Sequence, residues 1–220
     1  DRDGHTFLGW ADAAQDGNII VSPVNATTLN DWYKQQGIGK NGVKNLYAVW
    51  AANYYALTLE PNGGTLTIST AARDAAVEGG SLYVLFGSAD IYHATSNPRY
   101  EGYNTNVAKV TGLTCSRPGY TLQGYALSAE QDTYVEADYL IAANASVLKT
   151  PYTAEAGLTL YAIWSAKEYT ITFNGNKPAN APADSEVEQT ATTVTVVYDA
   201  NTNLKVAYTA SLNGYTFVGY

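Results

Sequence analysis

Three segments of this 220-residue chain share one spacing pattern: Gly4-His5-Thr6-Phe7-Leu8-Gly9-Trp10, Gly119-Tyr120-Thr121-Leu122-Gln123-Gly124-Tyr125 and Gly214-Tyr215-Thr216-Phe217-Val218-Gly219-Tyr220. A second motif, Leu46-Tyr47-Ala48-Val49-Trp50, returns 114 residues later as Leu160-Tyr161-Ala162-Ile163-Trp164. A third, Tyr55-Ala56-Leu57-Thr58-Leu59, returns at the same offset as Tyr169-Thr170-Ile171-Thr172-Phe173. Motifs in a kept order at a kept distance mark a chain built by repetition, each unit being one small supersecondary assembly. The last two G-Y-T copies are only 95 residues apart, so the third unit has a shorter connecting region. On this register the chain holds the C-terminal half of one module at 1–51, a complete module at 52–165 and the N-terminal part of a third at 166–220.

The strand ending in Asn62-Gly63-Gly64, followed by G-Y-T-x-x-G-Y and then L-Y-A-x-W, resembles the Listeria-Bacteroides repeat, or internalin B-repeat, family. The resemblance covers the chain in register, although the complete unit here is longer than is typical of the family. It implies a mainly β fold with minor α content, built as tandem β-grasp-like repeat modules with short helices in the insertions. It also implies a setting on a bacterial surface protein or adhesin. It does not imply a ligand.

Period-two alternation supports strands on physical grounds. Tyr55, Leu57 and Leu59 alternate with Ala56, Thr58 and Glu60, which puts one side of a strand on a core. Asn62-Gly63-Gly64 then reads as the turn of a hairpin whose second arm is Thr65-Leu66-Thr67-Ile68. Residues 81–86 and 192–198 read as further strands, with Leu82, Val84 and Phe86 on one face of the first and Val194, Val196 and Tyr198 on one face of the second. The G-Y-T strands place Tyr120 with Leu122, and Tyr215 with Phe217, and their glycines leave room for a neighbouring backbone or ring. Nineteen Tyr with abundant Thr and Val fit the same reading. Short helices are expected at 30–36, capped by Asn30 and stopped by Gly37, and at 71–77, with a weaker one at 134–144.

A net charge of -8 argues against nucleic acid, whose phosphates call for clustered Lys and Arg. No apolar run approaches the length of a membrane span. Cys115 is alone, so no internal disulfide forms and it reads as a small buried hydrophobe. His5 stands where the other copies have Tyr, His93 sits in an alternating strand, and neither has a second ligand at zinc spacing. Asp1-Arg2-Asp3-Gly4 reads as a polar turn, since a calcium loop needs a carboxylate set that does not follow. The pairs Glu130 with Asp132 and Glu136 with Asp138 read as solvated charges, and no nucleophile or phosphate-binding motif is present. No enzyme activity, metal or cofactor is therefore expected.

Aromatic residues remain. Trp10, Trp50 and Trp164 hold motif positions and are expected in the core, whereas Trp32 and Tyr33 lie in an insertion and are the candidate ligand contacts. Lys109 and Lys167 are conceivable donors for a Lys-Asn crosslink inside an apolar core. The expectation is a structural or adhesive stalk segment, extracellular, on a bacterial cell surface or secreted, with neighbouring repeat modules as partners. The alternative is a module binding glycan or a host protein through Trp32, Tyr33 and the 126–159 insertion. Head-to-tail self-association, with the two partial units completing each other between chains, is a further expectation.

Overall fold

The computed structural model describes residues 1–14, 18–21, 28–37, 42–70, 80–103, 106–130, 135–190, 192–200 and 209–219. They gather into two compact units, one of residues 1–115 and 123–163, the other of 116–122 and 164–220. Among them strand far outweighs helix, in line with the mainly β class read from the sequence.

The first segment forms β1 (His5–Ala11), β2 (Ile19–Val21), the helix α1 (Thr28–Gln35) and β3 (Tyr47–Ala52). These strands make an antiparallel sheet in the order β2-β1-β3, with Phe7 opposite Trp50 and Trp10 opposite Ala48. The β1–β3 register shifts by one between Phe7 and Gly9, a bulge that the second motif glycine accommodates. Helix α1 begins two residues before the expected Asn30, so Asn30 lies inside it and does not cap it. Gly37, at φ +61°, adopts the left-handed conformation that ends a helix at low cost.

The middle segment forms β4 (Tyr54–Glu60), β5 (Thr65–Thr70), β6 (Ser81–Leu85), β7 (Ile91–Ala94), β8 (Val107–Ser116), β9 (Tyr120–Ala126), β10 (Ile141–Ala142) and β11 (Leu158–Ala166). They join one eight-stranded sheet in the order β10-β9-β11-β4-β6-β7-β8-β5. At its centre β4 and β11 run parallel, Leu57 opposite Leu158 and Leu59 opposite Leu160. The expected alternation holds: Leu57, Leu59, Leu82 and Val84 are buried, while Ala56, Thr58 and Glu60 are exposed. Val110, Ile91, Tyr125, Ile141 and Leu160, all at most 1% exposed, complete the core. Enclosing side chains of this size is the main favourable contribution to folding such a sheet.

The expected hairpin at Asn62-Gly63-Gly64 is corrected. The turn is there, with Asn62 at φ +46°, Gly63 at φ +83° and the Gly64 N–H donating to the Pro61 carbonyl at 3.0 Å. Its arms do not pair, because both edges of β4 are taken by β6 and β11, and β5 lies instead beside β8 at the end of the sheet. Asn62 also turns its side-chain amide to the Ala162 carbonyl at 3.1 Å, which ties the turn to β11. The expected 134–144 helix is corrected to a 3-10 turn at Glu136–Asp138 followed by β10. Its Val135 N–H bonds the Asp138 carboxylate, a local arrangement that replaces continued helix. The 71–77 helix falls outside the described residues.

The last segment forms β12 (Glu168–Thr172), β13 (Glu188–Gln189), β14 (Thr193–Val197) and β15 (Ala210–Ser211). They pair as two two-stranded sheets, β12 with β14 and β13 with β15. Tyr169 faces Val196 and Ile171 faces Val194, which is the register of Tyr55 with Val84 and Leu57 with Leu82 in the middle segment. Residues 214–219, expected as a strand, run irregularly beside the 174–176 turn; no strand among the described residues pairs with them to hold an extended form.

Candidate functional site

The two motif glycines have the same backbone in every copy. The first is at φ +67°, +78° and +81° for Gly4, Gly119 and Gly214, and the second at φ +145°, +152° and +138° for Gly9, Gly124 and Gly219. A side chain is strained in either state, so the spacing of G-x-T-x-x-G is a backbone requirement. In each copy the residue after the first glycine closes a tight turn, as His5 to Arg2, Tyr120 to Arg117 and Tyr215 to Leu212, at 3.0 to 3.1 Å.

Around two of these tips the structure builds one assembly twice. The Gly4 carbonyl accepts the Asn53 N–H at 2.8 Å, and the Asn53 carbonyl accepts the Phe86 N–H at 3.0 Å. The Phe86 ring lies on Gly4, so closely that a Cβ there would fall 2.0 Å from ring carbon Cδ2, and it meets His5 edge to face at 5.3 Å. In the second copy the Gly119 carbonyl accepts the Lys167 N–H and the Lys167 carbonyl accepts the Tyr198 N–H, both at 2.9 Å. The Tyr198 ring lies on Gly119, where a Cβ would fall 2.3 Å from ring carbon Cε1, and meets Tyr120 edge to face at 5.4 Å. There the Tyr120 hydroxyl also donates to Asp199 at 2.7 Å, and Arg117 lies over the Tyr120 ring at 3.9 Å. The Asp199 carboxylate raises the Tyr120 pKa, since it accepts from the neutral phenol and repels the phenolate.

The sequence candidates Trp32 and Tyr33 stand side by side on α1, Trp32 half-buried and Tyr33 exposed. Tyr33 reaches the Gly42 carbonyl only at 3.4 Å, and nearby Asp31 and Lys34 form an exposed pair at 3.8 Å. Two ring clusters were not singled out from sequence. Phe7 contacts Trp10 at 5.5 Å and Trp50 at 5.1 Å, and Trp10 is 42% exposed. The expectation of a buried Trp10 is thus corrected, because a three-stranded sheet offers too little facing surface to enclose an indole. Trp50 and Trp164 are half-buried, whereas Tyr125, which holds the motif position of Trp10, is fully enclosed.

The second cluster gathers where β3 passes into β4. Tyr54 meets Tyr92 at 5.3 Å, Tyr100 meets Tyr103 at 5.0 Å, and Arg99 lies 5.5 Å from the Tyr103 ring centre. Backbone bonds hold this loop to the linker, from Glu101 N–H to Ala52 and from Tyr54 N–H to Arg99. Burial first, then Tyr92 and Glu101, push the Tyr54 phenol up to about 12. The sequence signal was Arg99-Tyr100-Glu101-Gly102-Tyr103, a charged, aromatic turn.

Other candidates settle into local roles. His93 is buried in β7 on the side of Ile91, and Asp138 is engaged with the Val135 N–H. Lys109, a conceivable crosslink donor, forms an ion pair with Asp90 at 2.8 Å. The Asp90 hydrogen bond raises its pKa, whereas amide formation needs the free amine. Among the described residues no three His, Cys, Asp or Glu side chains gather as a metal site, and no helix is long and apolar enough to cross a membrane.

No family model matches the chain, and no solved structure matches it. The chain is 30% identical over 112 residues to a protein of Evansella cellulosilytica described as a "Putative Gly-rich membrane protein". The match takes in 48% of this chain and 11% of that protein, so the chain spans about a tenth of the relative's length.

Proposed function

We propose that the chain is a non-catalytic structural or adhesive stalk segment of a bacterial cell-surface or secreted protein, made of tandem β-grasp-like repeat modules that extend or present other domains. The observation that carries this reading is the recurrence of one wiring. The order β2-β1-β3 in the first segment returns as β10-β9-β11 in the middle one, and the β4–β6 register returns as β12–β14. Parallel pairing of the first and last strands of the middle unit, β4 with β11, supports the β-grasp-like description. Repetition of this kind lengthens a protein by adding units that contact their neighbours, without redesign of a core. The description of the Evansella relative as a membrane protein is compatible with a cell-envelope setting. Antibody raised against the 220-residue chain is expected to label intact cells of the source organism without permeabilisation; signal confined to the soluble cytosolic fraction would sink the reading.

A second reading, binding of glycan or a host protein, is favoured by one observation: half-buried Trp32 beside exposed Tyr33, with a further partly exposed indole at Trp10. Rings held on a rigid scaffold stack on sugar faces at little entropic cost. Glycan-array binding that is lost in Trp32→Ala would carry this reading, and an array without signal would remove it.

A further inference from the structure

The strongest feature outside that reading is the assembly at the glycine tips. It occurs twice, at the tips of the first two motif copies. Both copies use a glycine with positive φ, a carbonyl-to-amide relay through one linker residue, and an aromatic ring seated on the glycine. Asn53 and Lys167, the relay residues, differ in charge and shape, and the relay bonds themselves run between backbone groups. Phe86 and Tyr198 share only the ring. What recurs is therefore what the contact needs: a bare Cα, two backbone bonds and an aromatic face.

We propose that each G-[HY]-T tip is a coupling socket, the surface by which one repeat unit grips the linker and the aromatic just past strand β6 or β14 in the unit that follows. The partner it fits is a backbone amide donor followed, at the end of a strand, by an aromatic side chain. The glycine supplies both halves of the fit. Its positive φ turns the carbonyl toward the linker amide, and its missing Cβ leaves the space that the ring fills. The edge-on contact with His5 or Tyr120 fixes the ring on a second side. Gly214 provides an internal control, having φ +81° and the same closed turn, but no described atom within 4 Å of where its Cβ would lie.

The proposal rests on the repeat-unit reading but not on cellular location, so failure of surface labelling leaves it standing. Hydrogen exchange on the full 220-residue chain tests it. Tyr198→Ala is expected to speed exchange of the Lys167 and Tyr198-position amides about tenfold, and to leave the Asn53 and Phe86 amides unchanged. Phe86→Ala is expected to do the reverse. Tyr198→Phe, which keeps the ring, is expected to behave as the parent chain. Trypsin cleavage after Lys167 should rise in Tyr198→Ala and not in Tyr198→Phe. Gly119→Ala is expected to open the same joint, while Gly214→Ala, strained in φ but meeting no ring, opens neither. Unchanged exchange at Lys167 in Tyr198→Ala overturns the proposal. So does an equal rise at both joints, which would make the ring a general support of the fold.

Discussion

Tyr125 shows how strongly a repeat position depends on its surroundings. It is fully enclosed, yet its hydroxyl has no nitrogen or oxygen partner among the described residues, and the Cys115 thiol beside it is a weak one. Burial, with Cys115 adding to it, pushes the phenol far above its ordinary pKa. A buried hydroxyl without a good partner costs stability, so Tyr125→Phe is expected to stabilise the chain by about 0.5–1 kcal/mol in urea denaturation. A fall in midpoint would show that the thiol contact is worth more than this. Tyr54 titrates in a way that can also be checked. Its folded pKa of about 12 lies above its ordinary value of 10.0. The neutral form is favoured by folding, so this contribution is intact below pH 10 and is lost as pH rises from about 10 to 12. Tyr54→Phe should flatten that alkaline loss, and phenolate absorbance should lose a tyrosine that titrates near pH 12.

At the scale of elements, the Asn62 turn does two jobs that substitutions separate. Asn62 adopts φ +46° and donates to Ala162 across the sheet, and Asn176 takes φ +45° at the matching place in the third segment. Asn62→Gly keeps the backbone and loses the bond, for a cost of about 1 kcal/mol. Asn62→Ala loses the bond and adds left-handed strain, for a cost of about 2 kcal/mol or more. Equal thermal shifts for the two variants would remove the backbone part of this account. The same turn explains why its arms part: β4 sits between β6 and β11, so β5 finds its partner in β8. A strand has two edges, and adjacency in sequence does not reserve either of them.

For the whole molecule, the two compact units differ in how much sheet they close. Unit 1 contains most of the eight-stranded sheet, whereas among the described residues β12 to β15 form only two-stranded pairs, and β12 exposes Tyr169. Two-stranded pairs are weak without further packing. Amides of β12 and β14 are expected to exchange faster than those of β4 and β11, and heating should melt residues 164–220 before the larger sheet. A single cooperative transition seen alike by tryptophan fluorescence and by exchange of both strand pairs would contradict this.

By itself the sequence determined the recurring motifs, the strand alternation and the places where only glycine serves. These are local matters: Leu57 and Leu59 alternate with polar neighbours whatever they pack against, and Gly4, Gly119 and Gly214 take one conformation in three settings. Tertiary structure alone decided which strands pair, which indole is covered, and what sits on each glycine tip. Trp10 and Tyr125 share a motif position, but one is 42% exposed and the other enclosed. Phe86 lies 82 positions from Gly4, and Tyr198 lies 79 from Gly119, so neither contact leaves a local trace. The physical reason is that backbone conformation is set by near neighbours, while burial and edge pairing depend on whatever surface the rest of the chain brings close.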